Sequence, residues 1–181
     1  MAGQVKTKRQ HPAFADVCSW YLCGVAFLHH FIPETNTKLN AKQPIQGPGL
    51  INRHVCHCTD CRKISAAFYQ SNITVADSHL KHVRGQEDLT TFSEAETIRA
   101  NALMTNYFCK TCGSLMYRRG ARFPGLSILR TGTVDDLSLA ETKLRPQVEQ
   151  FIESRVAWSK PIDGIPQVIG MHQPSDIEGI P

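Results

Sequence analysis

The sequence predicts a mainly β domain with short helices, on three observations. Apolar and polar residues alternate through much of the middle of the chain, which is the period of a half-buried strand. Stretches with helical spacing are few and short. Five cysteines fall into two tight clusters within the same region, which indicates ligands for a metal ion rather than packing residues.

The alternation predicts four strands. They cover residues 67–75, 101–108, 114–118 and 126–134. In the first, Tyr69, Ile73 and Val75 fall on one face, which is therefore the predicted core face. Asp135 and Asp136 end the last strand.

The second and third strands straddle Cys109 and Cys112, which places this C-x-x-C in the turn of a hairpin. Gly113 follows directly and can adopt the positive φ that such a turn needs.

Two short helices are predicted. The first covers 59–65, with Thr59 as its N-cap. The second covers 146–154 and opens with Pro146 at its first position. Val148, Phe151 and Ile152 recur at helical spacing in it, which predicts a core-facing stripe.

The length of 181 residues suits one domain. We expect a loose basic tail over 1–12, a single zinc-binding domain over 13–165 and a C-terminal tail over 166–181. The net charge of +4 is spread along the chain, which disfavours nucleic acid as a partner. Reduced zinc thiolates favour the cytoplasm, with the nucleus as the alternative.

The apolar stretch 17–28 follows basic residues and has two interpretations, a secretory signal or a buried strand. The strand is favoured, because cleavage after Ala26 would discard Cys18 and Cys23 and export would expose zinc thiolates to an oxidising space. No apolar run reaches the roughly 20 residues that span a bilayer, so a membrane is not expected as a partner.

The first cluster, Cys56, Cys58 and Cys61, can bring three sulfurs to one zinc ion. Three protein ligands leave the fourth tetrahedral position open, which is typical of a catalytic site. Three thiolates make zinc a weak Lewis acid with a net charge near −1, which suits a thiol ligand better than hydrolysis. Arg62 and Lys63 follow directly and can offset that charge.

The second cluster needs partners, because Cys109 and Cys112 cannot hold a structural zinc alone. They can join the first cluster in one four-thiolate site, or combine with Cys18 and Cys23 in a separate closed site. The separate site is preferred because it uses all seven cysteines. A redox dithiol is disfavoured, because the βαβ pattern of thioredoxin is missing. Alternation predicts that His57 points away from the sulfurs.

Four motifs carry a family resemblance: CHCTDCRK at 56–63, FCKTCGS at 108–114, GTVDD at 132–136 and RVAWSKPIDGIPQ at 155–167. Over about 53–160 the sequence resembles the glutathione-dependent formaldehyde-activating enzyme and centromere protein V domain family. The resemblance implies a β-tent fold with two zinc ions per chain. It implies that Cys56, Cys58 and Cys61 hold the catalytic ion and that Cys109 and Cys112 form half of the structural site.

The activity implied by the resemblance is the condensation of formaldehyde with glutathione to S-hydroxymethylglutathione, a carbon–sulfur lyase reaction run in reverse. The alternative function is a non-enzymatic zinc domain that binds a macromolecule. The family's N-terminal C-x-C-G is matched here only by Cys23-Gly24, because Cys18 lies four intervening residues away. Tyr69, Tyr107 and Arg62 are the proton-transfer candidates nearest the clusters.

Overall fold

The computed structural model describes residues 49–82, 85–96, 102–136 and 138–177. Cys18, Cys23, the basic tail and the predicted N-terminal strand lie outside these residues. Eight strands occur in the described part: β1 (Leu50–Cys56), β2 (Gln70–Ala76), β3 (Leu89–Glu94), β4 (Met104–Cys109), β5 (Leu115–Gly120), β6 (Leu126–Arg130), β7 (Val148–Gln150) and β8 (Gln167–Val168). Two α-helices accompany them, α1 (Thr59–Ser65) and α2 (Ser138–Glu141). The predicted mainly β fold is confirmed.

All eight strands belong to one sheet, in the order β3-β4-β5-β6-β2-β1-β7-β8. Strands β3 to β6 form an antiparallel meander, and β6 pairs with β2, which pairs with β1. On the other side of β1, the short strands β7 and β8 add in parallel. The end of β1 is therefore covered from both sides, and this is where the first cysteine cluster begins.

The main core lies on one face of this sheet. Ile73 and Val75 from β2, Leu129 from β6 and Tyr117 from β5 pack there with Met116 and Leu144, all of them buried. Tyr117 stacks on Tyr107, with ring centroids 4.3 Å apart. Tyr107 is thus an aromatic packing residue of the hairpin.

The hairpin predicted around the second cluster is confirmed, with β4 and β5 paired in antiparallel and Gly113 at a φ of 73° in the turn. The strand predicted over 126–134 is shorter, because residues Thr131–Thr133 form a 3-10 turn after β6. Helix α1 has the predicted bounds, but its N-cap is Cys58 and not Thr59.

The helix predicted over 146–154 is wrong. Val148 and its neighbours form β7 alongside β1, and a 3-10 turn follows at Ile152–Ser154. Phe151 between them has a φ of 56°, a left-handed conformation that ends the strand and cannot continue a helix. Val148, Phe151 and Ile152 have helical spacing in the sequence, but only Val148 pairs with β1, and the other two lie in the turn that follows the strand.

The C-terminal boundary also differs from the expectation. Gln167 and Val168 form β8 in the sheet, and Ile177 is 3% exposed. The structured domain therefore extends to at least residue 177, beyond the predicted boundary at 165. In the described ranges, no helix is long and apolar enough to cross a membrane.

Candidate metal centre

The structure brings the sulfurs of Cys56, Cys58 and Cys61 together. They lie within 4.8 Å of one another, and all three residues are buried. Tetrahedral zinc with bonds of about 2.3 Å separates its sulfur ligands by about 3.8 Å, so small adjustments of the side chains can close the trio on one ion. The donor set is soft and fits zinc. These three residues could hold one metal ion.

The local backbone explains why the three converge. Cys56 is the last residue of β1, and the His57 N–H donates to the Gln150 carbonyl at 3.1 Å, which continues the pairing with β7 beyond the strand. Cys58 then caps α1, where its sulfur accepts a hydrogen bond from the Cys61 N–H at 3.4 Å. One helical turn therefore returns Cys61 to the sulfur that began the helix.

His57 points away from the sulfurs, as alternation along the strand predicts. Its Nε2 lies 2.6 Å from Glu149 Oε1, and it is not part of the cysteine group. Glu149 Oε2 also accepts hydrogen bonds from Arg155 Nη1 and the Ile162 N–H, each at 3.2 Å. A buried polar network thus supports the back of the C-x-C segment.

Two arginines that the sequence analysis missed lie beside the sulfurs. Arg118 Nη2 donates to Cys61 Sγ at 3.3 Å. Arg130 is 3% exposed and donates to Asn72 Oδ1. They come from the adjacent strands β5 and β6, 57 and 69 positions beyond Cys61. The expected counter-charge Arg62 instead donates to the Ser154 carbonyl at 3.2 Å, and Lys63 is exposed.

The thiols of the trio have different proton affinities. Hydrogen bonds from Cys56 and Cys58, together with the charges of Arg118 and Arg130, hold the Cys61 pKa well below its ordinary value. Hydrogen bonding to the other two sulfurs and burial raise the Cys56 pKa. For Cys58, a hydrogen bond with Cys56 favours the thiolate, which by itself would lower the pKa. The hydrogen bond between Cys58 and Cys61, together with burial, outweighs it and raises the Cys58 pKa to about 11. Without metal, the trio favours a single thiolate at Cys61.

The cysteines in turn act on the arginines. Burial disfavours the charged form of Arg118, but negative charge on the three cysteines, Cys61 first, and on Asp60 outweighs it and raises the Arg118 pKa. For Arg130, burial and the repulsion of Arg118 prevail and lower its pKa to about 10. Both guanidinium groups therefore remain charged near neutral pH.

A cavity opens beside the trio. It leaves about 60 Å³ for the centres of water-sized molecules, and Cys56, Cys58 and Arg118 form part of its wall. Most of the rest is apolar or neutral: Ala102, Leu103, Met104, Gly120, Phe123, Gln150, Phe151 and Met171. Asp60, Glu94 and Arg122 add charge to the wall. A small molecule in this cavity would meet two of the three sulfurs and one guanidinium.

The second cysteine pair stands apart from the trio. Cys109 is buried at the end of β4 and is disulfide-bonded. Cys112 is exposed in the turn and donates to Ser114 Oγ at 3.2 Å. Neither belongs to the metal-ligand group found in the described residues, so the single shared site considered above receives no support from the structure.

Of the proton-transfer candidates, Tyr69 is half exposed, with its ring centroid 5.7 Å from that of His57. Tyr107 packs on Tyr117 and Arg62 caps Ser154, so neither makes a described contact with the sulfurs. Arg118 and Gln150 reach the cavity instead. Their signal in the sequence is weak, because Arg118 stands beside Arg119 in β5 and Gln150 beside Glu149 in β7, and no local pattern distinguishes the two residues that reach the cavity.

Comparison with known proteins decides the family. The family model described as glutathione-dependent formaldehyde-activating enzyme matches residues 37–154, about two thirds of the chain. The chain belongs to this family. The match contains the cysteine trio, the C-x-x-C hairpin and both arginines. The matched region ends before β8 and Met171. Part of the cavity wall therefore lies outside the region that defines the family.

Among solved structures, the chain is similar to a protein from Rhodobacter sphaeroides, with 17% sequence identity and a TM-score of 0.41. That similarity covers 65% of this chain and 81% of the other.

Proposed function

We propose that this protein is a zinc-dependent enzyme of the carbon–sulfur lyase class that forms and cleaves small thiol–aldehyde adducts. The reaction suggested by its family is the formation of S-hydroxymethylglutathione from formaldehyde and glutathione. The observation that carries the proposal is the cavity beside the cysteine trio, whose wall includes Cys56 and Cys58, two of the three candidate zinc ligands.

A zinc ion held by Cys56, Cys58 and Cys61 would supply a soft Lewis acid that keeps a substrate thiol ionised at neutral pH. The substrate sulfur then attacks the aldehyde carbon. A carbon–sulfur bond forms, and the carbonyl π pair moves to oxygen. That oxygen takes up a proton from solvent, which balances the proton that the thiol released on ionising, and becomes the hydroxyl of the adduct.

The protein's own residues prepare this step. Arg118 places a fixed positive charge beside the sulfurs, where negative charge passes from sulfur to oxygen. The apolar wall around Met104, Phe123 and Phe151 limits water at the reacting atoms, which strengthens that electrostatic effect. Asp60 and Arg122 offer charges to the amino and carboxylate groups of a substrate such as glutathione.

We further propose a second, structural zinc held by Cys109 and Cys112 with Cys23 and Cys18, giving two ions per chain in a reducing compartment such as the cytoplasm. Reduced cysteines ligate zinc, whereas oxidised ones cannot. Support comes from the hairpin geometry, which puts the pair in a tight turn. Reduced protein should therefore bind more zinc than oxidised protein.

The test begins with zinc per chain on reduced protein, measured for the wild type, for Cys58→Ser and for the neighbouring exposed control Thr59→Ala. We expect about two zinc ions in the wild type and control, and about one in Cys58→Ser. Formation of S-hydroxymethylglutathione is then followed by NMR over the uncatalysed background. Turnover that is lost in Cys58→Ser but kept in Thr59→Ala supports the proposal. No turnover above background in the zinc-loaded wild type would overturn it.

A further inference from the structure

The two arginines beside the cysteine trio are largely withdrawn from solvent, Arg130 being buried and Arg118 partly buried. Neither Arg118 nor Arg130 forms an ion pair with a carboxylate anywhere in the described ranges. Several of their N–H groups are buried without a hydrogen-bond acceptor there: Nε of Arg118, and Nε and Nη2 of Arg130. Buried like charges are unfavourable unless anions offset them.

Thiolates are the main anions that these guanidinium groups face, and Asp60 acts more weakly on Arg118. Arg118 bonds Cys61 directly at 3.3 Å, and the charges of Cys61 and Cys56 favour the charged form of Arg130. Each arginine is anchored in a strand of the sheet, so it cannot leave the cluster as a surface side chain could. The arginines are therefore part of the site's charge.

Counting charges with the arginines included removes the negative sum at the site. Three thiolates, one Zn²⁺ and the Asp60 carboxylate, which also acts on Arg118, give −2, which would repel an anionic ligand. The two guanidinium groups bring the sum to zero, and Glu94 and Arg122 of the cavity wall cancel each other. The wall contains Arg118 next to Cys56 and Cys58, so an incoming ligand would meet this guanidinium beside the candidate metal ligands.

We propose that Arg118 and Arg130 are built-in counter-charges that make the cysteine trio, when it holds a metal, select an anionic thiolate as its fourth ligand over a neutral one such as water or imidazole. This inference rests on the metal site of the proposed function, and it concerns ligand selection rather than turnover. Arg118, which contacts both the cavity and Cys61, is the residue whose charge a ligand feels first.

The test uses protein loaded with Co²⁺, whose visible spectrum reports the fourth ligand. The probes are 2-mercaptoethanol, which is charged only as its thiolate, and neutral imidazole. Arg118→Gln should weaken 2-mercaptoethanol binding by about tenfold or more, because a unit charge a few ångströms away is removed. Imidazole binding should change by less than about twofold, because a neutral ligand does not sense the charge as strongly.

Arg119→Gln is the matched control. It lies on the same strand, but its side chain contacts Ser127 and Asp77 on the opposite face. It should bind both probes as the wild type does. Arg118→Lys keeps the charge and should retain thiolate binding within about threefold of the wild type, even if its hydrogen bond to Cys61 changes. This variant keeps the test valid if Arg118→Gln loads no metal.

Three results would overturn the inference: unchanged thiolate binding in Arg118→Gln, an equal loss for imidazole, or a loss in Arg118→Lys as large as in Arg118→Gln. These outcomes are separate from the proposed function. If thiolate binding depends on Arg118 but no formaldehyde turnover occurs, only the enzymatic proposal is overturned. If turnover occurs and the affinity for the thiolate does not depend on Arg118, only the inference is overturned.

Discussion

His57 Nε2 and Glu149 Oε1 lie 2.6 Å apart, and each side chain is 1% exposed. This contact joins the residue between two candidate metal ligands to the middle of β7. Glu149 has two further donors, Arg155 and the Ile162 N–H, so its carboxylate is surrounded by hydrogen bonds. The position of the C-x-C segment therefore depends on a buried carboxylate 92 positions away.

Replacing Glu149 with alanine should destabilise the fold strongly. The change leaves His57 and Arg155 without their buried acceptor, and breaking a buried ion pair costs about 3–5 kcal/mol. Urea unfolding of the metal-free protein measures the loss. Glu141→Ala, at an exposed position of α2, should change stability by less than about 0.5 kcal/mol. Equal effects of the two variants would contradict the role assigned to the buried network.

His54 should make the metal-free protein sensitive to acid. Burial, assisted by His172 and the two arginines and opposed by the Cys61 thiolate, lowers its pKa from 6.5 to about 3. Between pH 6.5 and 3, His54 is therefore protonated in the unfolded chain but neutral in the folded chain. The free energy of unfolding thus falls as the pH drops through this range.

The His54 contribution is at most about 5 kcal/mol. Urea unfolding measured at several pH values should show a shallower pH dependence in His54→Asn than in the wild type. Since the carboxylates of the two proteins are the same, their difference isolates His54. Identical slopes would refute the assignment.

Zinc binding to the reduced trio should release protons near neutral pH. Cys56 and Cys58 have raised pKa values and remain thiols without metal, whereas Cys61 is already the favoured thiolate. Filling this site should therefore release about two protons. Calorimetric titration in two buffers with different ionisation enthalpies measures the number. A release of less than one proton would show that the thiols are ionised before metal arrives.

Two isoleucines near the C-terminus should respond very differently to truncation. Ile177 is 3% exposed, and Ile169 is 80% exposed. Ile177→Ala should cost about 2–4 kcal/mol through lost burial and the cavity it leaves, whereas Ile169→Ala should stay within about 0.5 kcal/mol. Thermal and urea unfolding compare them. Similar small values for both would restore the view that residues after 165 form a tail.

The sequence predicted what local spacing controls. The period of two located β2 and the β4–β5 hairpin, and the C-x-C-x-x-C spacing located a cysteine trio that closes through one helical turn. It failed at β7, where Val148, the first residue of an apolar set with helical spacing, lies in a strand because β1 offers a pairing edge. The free edge of β1 exists only in the folded sheet, so a local sequence pattern cannot predict this pairing.

The electrostatic surroundings of the trio were equally hidden. Arg62 and Lys63 were the nearest cations in the sequence, but the helix turns them away. Arg118 and Arg130 reach the sulfurs only because β5 and β6 pair with each other and β6 with β2. Proximity in the sequence therefore predicted Arg62 and Lys63 as the counter-charges, whereas the order of the strands in the sheet places Arg118 and Arg130 beside the sulfurs.

This separation limits how far the site can be transplanted. A peptide covering residues 54–66 would contain every sulfur of the trio and neither arginine. Grafted onto another scaffold, it would be a chelating loop that binds metal without the two guanidinium groups that face the sulfurs in this fold. Recombination that exchanged this loop alone would transfer the three metal ligands but not the two arginines that select the fourth ligand.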